Sequence, residues 1–388
     1  MTDTAPTDTD QEPDTPGDDD LDTMLETRRD PWAIALRVGG TLAVPIVAFV
    51  VFTWAFGFLR DDDANRMVIA AVAIALGVAG VFALFWAMDR LVNWLPERVG
   101  EGLRPYIYVG PALVVLGVFL IYPVINTALL SFQDSRGQAW VGLENYEFVF
   151  TNSSMLRSIR NTVAWIIVVP AVAVTIGLVF ATLADRLRRM EAVAKSLIFL
   201  PMAVSFVGAS VTFRLIYSYR PEGFGSNVGL LNGVMDVFGQ DPVAWLSQQP
   251  WNNLLLMVIM IWMQTGFAMV VLSAAIKAIP DDILEAARID GATEFQLFRR
   301  ILLPSILPTI VVVTTYMVVN ALKVFDIVFV MGSPEANQTE VIAERMIRWF
   351  FLANHDGRAA AIAMVLFVAV IPVMVWNVRK FREQEQMR

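Results

Sequence analysis

Asn253-Leu-Leu-Leu-Met-Val-Ile-Met-Ile-Trp-Met-Gln-Thr-Gly-Phe-Ala-Met-Val-Val-Leu-Ser-Ala-Ala-Ile276 runs for 24 residues without a charged side chain. As a helix it would be about 36 Å long, enough to cross a hydrocarbon core of about 30 Å. Its apolar residues fall on every face rather than in one stripe, the pattern of a helix surrounded by lipid and by other helices. Seven more runs share this character, at about Arg37 to Leu59, Met67 to Met88, Tyr106 to Leu130, Thr162 to Ala184, Leu197 to Tyr217, Ile306 to Met331 and Ala359 to Val378. Small residues such as Gly77, Gly80, Gly208 and Ala209 recur in them and permit close helix approach. The whole chain is 56% hydrophobic and 17% charged, against about 45 to 50% and about 25% in soluble domains. The expectation is an all-α polytopic membrane protein with eight transmembrane helices, an N-terminal pair followed by six more.

The formal charge of -8 is concentrated at one end. Residues 1–30 carry eleven Asp and Glu against Arg28 and Arg29, with almost no large apolar residue before Leu21. Such a segment cannot bury enough surface to offset chain entropy and reads as a disordered acidic tail. It has neither the basic start nor the early apolar run of a cleavable signal peptide, so the first hydrophobic segment reads as a retained anchor. The 388 residues contain no cysteine and one histidine, His355. A disulfide framework, thiol catalysis and a Cys- or His-ligated metal centre are thereby excluded, and His355, between Asn354 and Asp356 in an outer loop, reads as a solvated loop residue. The eighteen methionines read as packing.

Lys and Arg set the orientation. With the N-terminus inside, the inner segments hold 17 of them and the outer segments nine, the rest falling within spans. Arg186, Arg188, Arg189 and Lys195 make up one inner cluster. Both termini are therefore expected in the cytoplasm. The outer segments around 131 to 160, 218 to 252 and 332 to 358 are too long for simple turns. They carry apolar patches, Trp140-Val-Gly-Leu-Glu-Asn-Tyr146 and Val243-Ala-Trp-Leu246, that suit interfacial helices anchored at headgroup level or a docking face for an external protein.

Only four lysines occur, and none follows a glycine, so there is no phosphate-binding G-x-x-x-x-G-K-[ST] loop. H-E-x-x-H, G-x-S-x-G and Asp-rich calcium loops are missing too. No catalytic residue, cofactor, metal or nucleic-acid partner is expected, and any energy for uphill transport must come from another subunit or an ion.

The most informative inner segment is Ile279-Pro-Asp-Asp-Ile-Leu-Glu-Ala-Ala-Arg-Ile-Asp-Gly-Ala-Thr-Glu-Phe-Gln-Leu-Phe-Arg-Arg-Ile-Leu-Leu-Pro304. Asp282 and Glu285 have the spacing of a capping box, and Gly291 suits the position just past a helix end, so a short helix is expected over about 282 to 290. Thr293 with Gln296 repeats the capping spacing ahead of a second helix, and Pro304 stands where that helix should give way to the next span. Ala286 and Ala287 keep one surface of the first helix low, so that another protein's backbone can approach it.

The same residues fit, at all seven fixed positions, the E-A-A, x3, G, x9, I-x-L-P pattern of permease subunits of ATP-binding-cassette importers. A chance match is on the order of 10⁻⁸ per start site at ordinary residue frequencies. From about Tyr106 to Phe381 the chain resembles the maltose-type carbohydrate-uptake permeases, through Tyr122-Pro-Val, Val141-Gly-Leu-Glu-Asn-Tyr146, Leu200-Pro201 and the E-A-A loop. It is most similar to alpha-glucoside permeases, through Ile198-Phe-Leu-Pro-Met-Ala-Val-Ser-Phe-Val-Gly-Ala209, Gln264-Thr-Gly-Phe-Ala-Met269, Lys323-Val-Phe-Asp-Ile-Val328 and Gly357-Arg-Ala-Ala-Ala-Ile-Ala363. The large outer domain inserted in some such permeases is missing.

The resemblance implies an importer in which this chain pairs with a second related permease, two cytoplasmic ATPase subunits and an extracytoplasmic sugar-binding protein. It implies a cytoplasmic membrane of a bacterium or archaeon, and an oligosaccharide cargo such as maltose or trehalose. The expected organisation is a tail at 1–30, a transmembrane hairpin and linker at 31–105, and a permease core at 106–388 with its coupling loop at 277–304. Glu285, Ala286, Ala287, Gly291, Ile301, Leu303 and Pro304 are the expected ATPase-coupling residues. A neutral polyol asks for hydrogen-bonding and aromatic side chains near the membrane midplane. Trp262, Gln264, Gly266, Phe267, Tyr316, Asn320, Lys323 and Asp326 are the expected substrate path, each of them equally open to a helix-packing role. The competing reading is an ion-coupled secondary transporter with Lys323 and Asp326 as its coupling pair, but no inverted repeat is evident and the E-A-A loop would go unexplained. An intramembrane enzyme is disfavoured, since no nucleophile and base are paired within the spans.

Overall fold

The structure is a computed structural model that describes residues 50–51, 53–54, 57–59, 66–93, 97–185, 187, 190–221 and 229–385. The acidic tail, most of the first expected span and the Arg186, Arg188, Arg189 cluster lie outside the described residues. Contacts divide the chain into two units, Met1–Tyr122 and Pro123–Arg388. In the first, α1 (Arg66–Asn93) packs on α2 (Glu97–Leu116), with Phe85 stacked on Tyr108 and the Tyr108 hydroxyl donating to Asp89 Oδ1 at 2.8 Å. α2 is followed by a widened π-helical turn, Gly117–Ile121; α3 (Tyr122–Leu130) lies, but for its first residue, in the second unit.

The second unit holds α4 (Glu144–Thr151), α5 (Ser153–Ala184), α6 (Glu191–Phe199), α7 (Phe206–Ile216), α8 (Leu230–Val237) and α9 (Trp251–Lys277). It continues with α10 (Asp281–Ile289), α11 (Glu294–Leu297), α12 (Leu303–Leu322), α13 (Asp326–Met331), α14 (Pro334–Asn337), α15 (Ile342–Phe351) and α16 (Asp356–Glu385). α9 is the most enclosed span and lies along α5. Gly177 makes that approach possible, because a Cβ there would sit 2.5 Å from Ala268 Cβ. Toward the start of α9 the core comprises Trp165, Leu256, Met257, Ile259 and Met260 with Ile327, Val328 and Met331. Toward its end, Ala173, Ala268, Met269 and Leu272 pack with Leu302, Ile306, Val313 and Met317. Trp165 is fully buried, and its indole N–H donates to Asn253 Oδ1 at 3.0 Å, which satisfies the ring's polar atom inside an apolar cluster.

Among the described residues six helices are long and apolar enough to cross a membrane, or seven where a bent pair counts as one span. They fall on the seven expected spans that follow the first, and the chain is an all-α, multi-pass membrane protein. Three local expectations are corrected. The span expected as one helix over Leu197 to Tyr217 bends by 96° between Glu191–Ala203 and Phe206–Ile216. Pro201 has no N–H to give to the helix ladder, a 3₁₀ turn covers Leu200–Ala203, and Ser205 caps the new helix by accepting from Gly208 N at 3.0 Å. The span expected to run from Ile306 to Met331 stops at Leu322, and α13 begins only at Asp326. No Gly or Pro marks this break, and beyond it Val324, Ile327, Val328 and Met331 are buried in the core. Pro304, finally, does not end the second loop helix. α11 passes through a π-helical turn, Phe298–Leu302, into α12, and Leu303 N donates five residues back to Phe298 O. The wider turn accommodates the donor that the next residue, Pro304, lacks.

Candidate functional site

The loop after α9 forms a compact helix pair. α10 starts at Asp281, not in a capping box: Pro280 precedes it and no side chain caps its N-terminus, so the expected role of Asp282 is corrected, although both aspartates favour a helix start electrostatically. Its C-terminus closes as the sequence requires. Gly291 has φ +83°, its N–H donates to Arg288 O at 3.1 Å, and Ala292 N donates to Ala287 O at 3.0 Å. This pair of bonds around a left-handed residue is the Schellman arrangement that glycine favours. The capping box at Thr293 is complete, with Thr293 Oγ1 accepting from Gln296 N and Gln296 Oε1 accepting from Thr293 N. An ion pair, Arg288 Nε to Glu294 Oε1 at 3.1 Å, spans the turn.

The two loop helices differ in what they bury. Leu297 and Leu302 are buried and Phe298 packs beside Leu302 in the core, so the second helix is rooted in the bundle. Ile301 and Leu303 are half-buried and Pro304 is exposed. α10 buries none of its residues: Glu285 and Ala286 are exposed, Ala287 is half-buried, and Ile289 is 86% exposed.

The expected substrate-path residues are only partly brought together. Phe267 and Tyr316 meet with ring centroids 4.6 Å apart, and Asn320, one turn beyond Tyr316, donates to its carbonyl at 2.9 Å. Trp262 faces another way, edge-on to Phe213 at 5.4 Å. Gln264 is buried, and its Oε1 has no hydrogen-bond partner among the described residues. Gly266 lies in a helix contact, since a Cβ there would come 2.4 Å from Ile198 O and 2.7 Å from Phe199 Cα. Lys323 and Asp326 stand on opposite sides of the break between α12 and α13, not on one continuous helix, Lys323 exposed and Asp326 half-buried.

At the other end of the bundle, sequence reading missed a polar knot. Glu340 and Glu344 are fully buried and Arg345 nearly so. Arg157 pairs with Glu340 at 3.3 Å, Arg348 with Glu344 at 2.9 Å and Arg345 with Glu335 at 3.2 Å. Asn161 donates to Gln338 O and Glu340 O, and Thr162 Oγ1 accepts from Ile342 N, which sews this segment to α5. Burial pushes the Glu344 carboxyl above its ordinary range, against the pull of Arg348 and Arg345. The partners that join this segment to α5 lie some 180 residues apart, so spacing gave no signal of them. His355, expected as a solvated loop residue, is half-buried instead: it meets Trp349 edge-on at 5.8 Å and accepts from Arg358 N at 3.3 Å. Beside it, the Arg358 guanidinium lies 4.1 Å from the Phe148 ring centroid and 4.8 Å from that of Trp349.

The family described as binding-protein-dependent transport system inner membrane component matches residues 157–379. Over 282 residues the chain is 50% identical to the osmoprotective compounds uptake permease protein GgtC of Synechocystis sp., a match covering 72% of this chain and 100% of that one. It is 42% identical over 329 residues to the alpha-glucoside transport system permease protein AglF of Rhizobium meliloti, covering 81% and 97%. A crystal structure of a bacterial ABC transporter involved in the import of the acidic polysaccharide alginate matches with a TM-score of 0.64 at 25% identity, over 74% of this chain and 99% of that one.

Proposed function

The chain belongs to the family of binding-protein-dependent transport system inner membrane components, and from that premise we propose that it carries an alpha-glucoside such as maltose or trehalose. As a permease subunit of an ABC importer it is not itself catalytic, and a separate subunit hydrolyses ATP. The ion-coupled alternative is not favoured. The cargo reading is supported by the alpha-glucoside permease of Rhizobium meliloti, whose likeness covers 97% of its own length. The working assembly is this chain with a second related permease, two cytoplasmic ATPase subunits and an extracytoplasmic sugar-binding protein. Its place is the cytoplasmic membrane of a bacterium or archaeon, with both termini inside. Within it, residues 1–30 are the acidic tail, 31–105 the extra hairpin and linker, and 106–388 the permease core.

One observation carries the mechanism. α10 presents Glu285, Ala286 and Ala287 on an open surface directly after the most enclosed span, while α11 and Leu302 root the loop in the core. Closure of the ATPases displaces α10, the rooted loop passes that displacement to α9 and α12, and the path past Phe267 and Tyr316 switches its open end. The energy enters as differential binding of α10 in the two states of the ATPase pair. The reconstituted complex tests this through Glu285→Lys and Gly291→Pro, assayed for subunit retention, ATP hydrolysis, and uptake of radiolabelled maltose and trehalose. Lost docking or hydrolysis without uptake is the expected result. Wild-type values of all three in both variants would remove the coupling assignment.

A further inference from the structure

Where α9 ends, four charged side chains from three helix ends converge. Lys277, the last residue of α9, lies 3.5 Å from Asp185 Oδ1, just past α5, and 2.5 Å from Glu191 Oε1, the first residue of α6. Lys195, one turn along α6, meets the same Glu191 oxygen at 2.5 Å and also bonds Ser273 of α9, which is 2% exposed. A single exposed ion pair contributes little. Here one carboxylate holds two lysines from two helices, and one of those lysines is tied in turn to a buried hydroxyl.

The same two helices touch again farther in, where Gly266 meets Ile198 O and Phe199 Cα. The two attachments are 11 residues apart on α9, about 16 Å along its axis. Two fixed points along a pair of helices oppose a rotation that one point would permit. α6 leads through the 3₁₀ turn Leu200–Ala203 into the 96° bend before Phe206, and Lys277 stands four residues before the start of α10. We infer that Glu191 is a positioning residue for coupling: it clamps α6 to the inner end of α9, so that displacement of α10 moves both helices as one body and reaches the bent span. With Glu191 lost, α6 is held to α9 only by Lys195 on Ser273 and by the Gly266 contact, about 10 Å apart along α9, so its first turn is released from the inner end of α9 and much of the stroke is lost before the bend. The inference rests on the proposed role of α10 as the ATPase contact.

The test uses the whole reconstituted transporter with its ATPase subunits and binding protein, and radiolabelled maltose as cargo. Glu191→Gln, Glu191→Asp, Lys277→Gln and the double variant Glu191→Gln with Lys277→Gln are assayed beside Gly291→Pro. Glu191→Gln should keep its ATPase subunits and its hydrolysis while uptake per ATP falls by about fivefold or more, the scale of a typical coupling between sites. Glu191→Asp, which keeps the charge, should recover most of that ratio. The double variant should be no worse than either single one, as expected when two groups act as a unit. Should Glu191→Gln fail to insert, Lys277→Gln and Glu191→Asp decide the matter by the same ratio. An unchanged ratio in Glu191→Gln and Lys277→Gln, or losses that add in the double variant, overturns the clamp. If that happens while Gly291→Pro uncouples, the clamp alone falls; if Gly291→Pro behaves as wild type, the assignment of α10 falls instead.

Discussion

Gly266→Ala puts the packing of the central helix to a direct test. The new Cβ would stand 2.4 Å from Ile198 O and 2.7 Å from Phe199 Cα, and both obstacles are backbone. No side chain can swing away, so α6 and α9 must separate by about 1 Å to restore an ordinary contact, a strain of about 1 to 3 kcal/mol for an overpacked interior. That corresponds to a factor of about 5 to 150 in the ratio of folded to unfolded protein. Gly233→Ala is the matched control: it lies inside α8, nothing stands within 4 Å of its added Cβ, and alanine is the better helix former by about 1 kcal/mol. Thermal unfolding of the purified protein in detergent should show Gly266→Ala clearly less stable and Gly233→Ala unchanged or better. If Gly266→Ala unfolds with the wild type and instead alters which sugar is carried, the glycine lines the path and the close helix contact is refuted.

Two further outcomes follow from the loops. Desolvation, helped by the Arg358 charge, holds the His355 imidazole below its ordinary value of 6.5. The unfolded chain therefore takes up this proton first, and stability should fall as pH drops through about 6.5 toward the depressed folded value and then level off. His355→Gln should flatten that part of the pH profile in a melting series, and an identical slope in the variant would assign the loss to other groups. For orientation, the chain has no cysteine to give background labelling, and Gln138 is exposed beside the bridge between Gln133 and Trp140. A Gln138→Cys variant should react with an impermeant maleimide only from outside the cell; reaction from the cytoplasmic side alone would invert the topology.

The positions of the spans and the two-helix loop were legible in the sequence because each depends on neighbours along the chain. A run such as 253–276 needs only its own length and its lack of charge, and the turn at Gly291 needs only a residue free to take φ +83°. Even the π-helical turns carried a local mark, since each ends two residues before a proline, Pro123 or Pro304, although Pro304 was read as a stop. The candidate site was legible in the loop helix pair, whose turn and second cap are set by contiguous residues. It was not legible along the path: Phe267 meets Tyr316, and Gly266 meets Ile198, only because α9 is packed among α5, α6 and α12. The break at Lys323–Phe325, the bonds from Arg157 and Asn161 to the segment around Glu340 and the pairing of Lys277 with Glu191 likewise join or separate residues whose spacing is silent; only the i,i+4 pairs Glu191–Lys195 and Glu344–Arg348 carried a local signal. Hydrophobic length and local hydrogen bonding are properties of a segment, and the sequence by itself settles them. Which helix face is buried, and which charges find each other, depends on burial summed over several helices, and only the tertiary structure decides that.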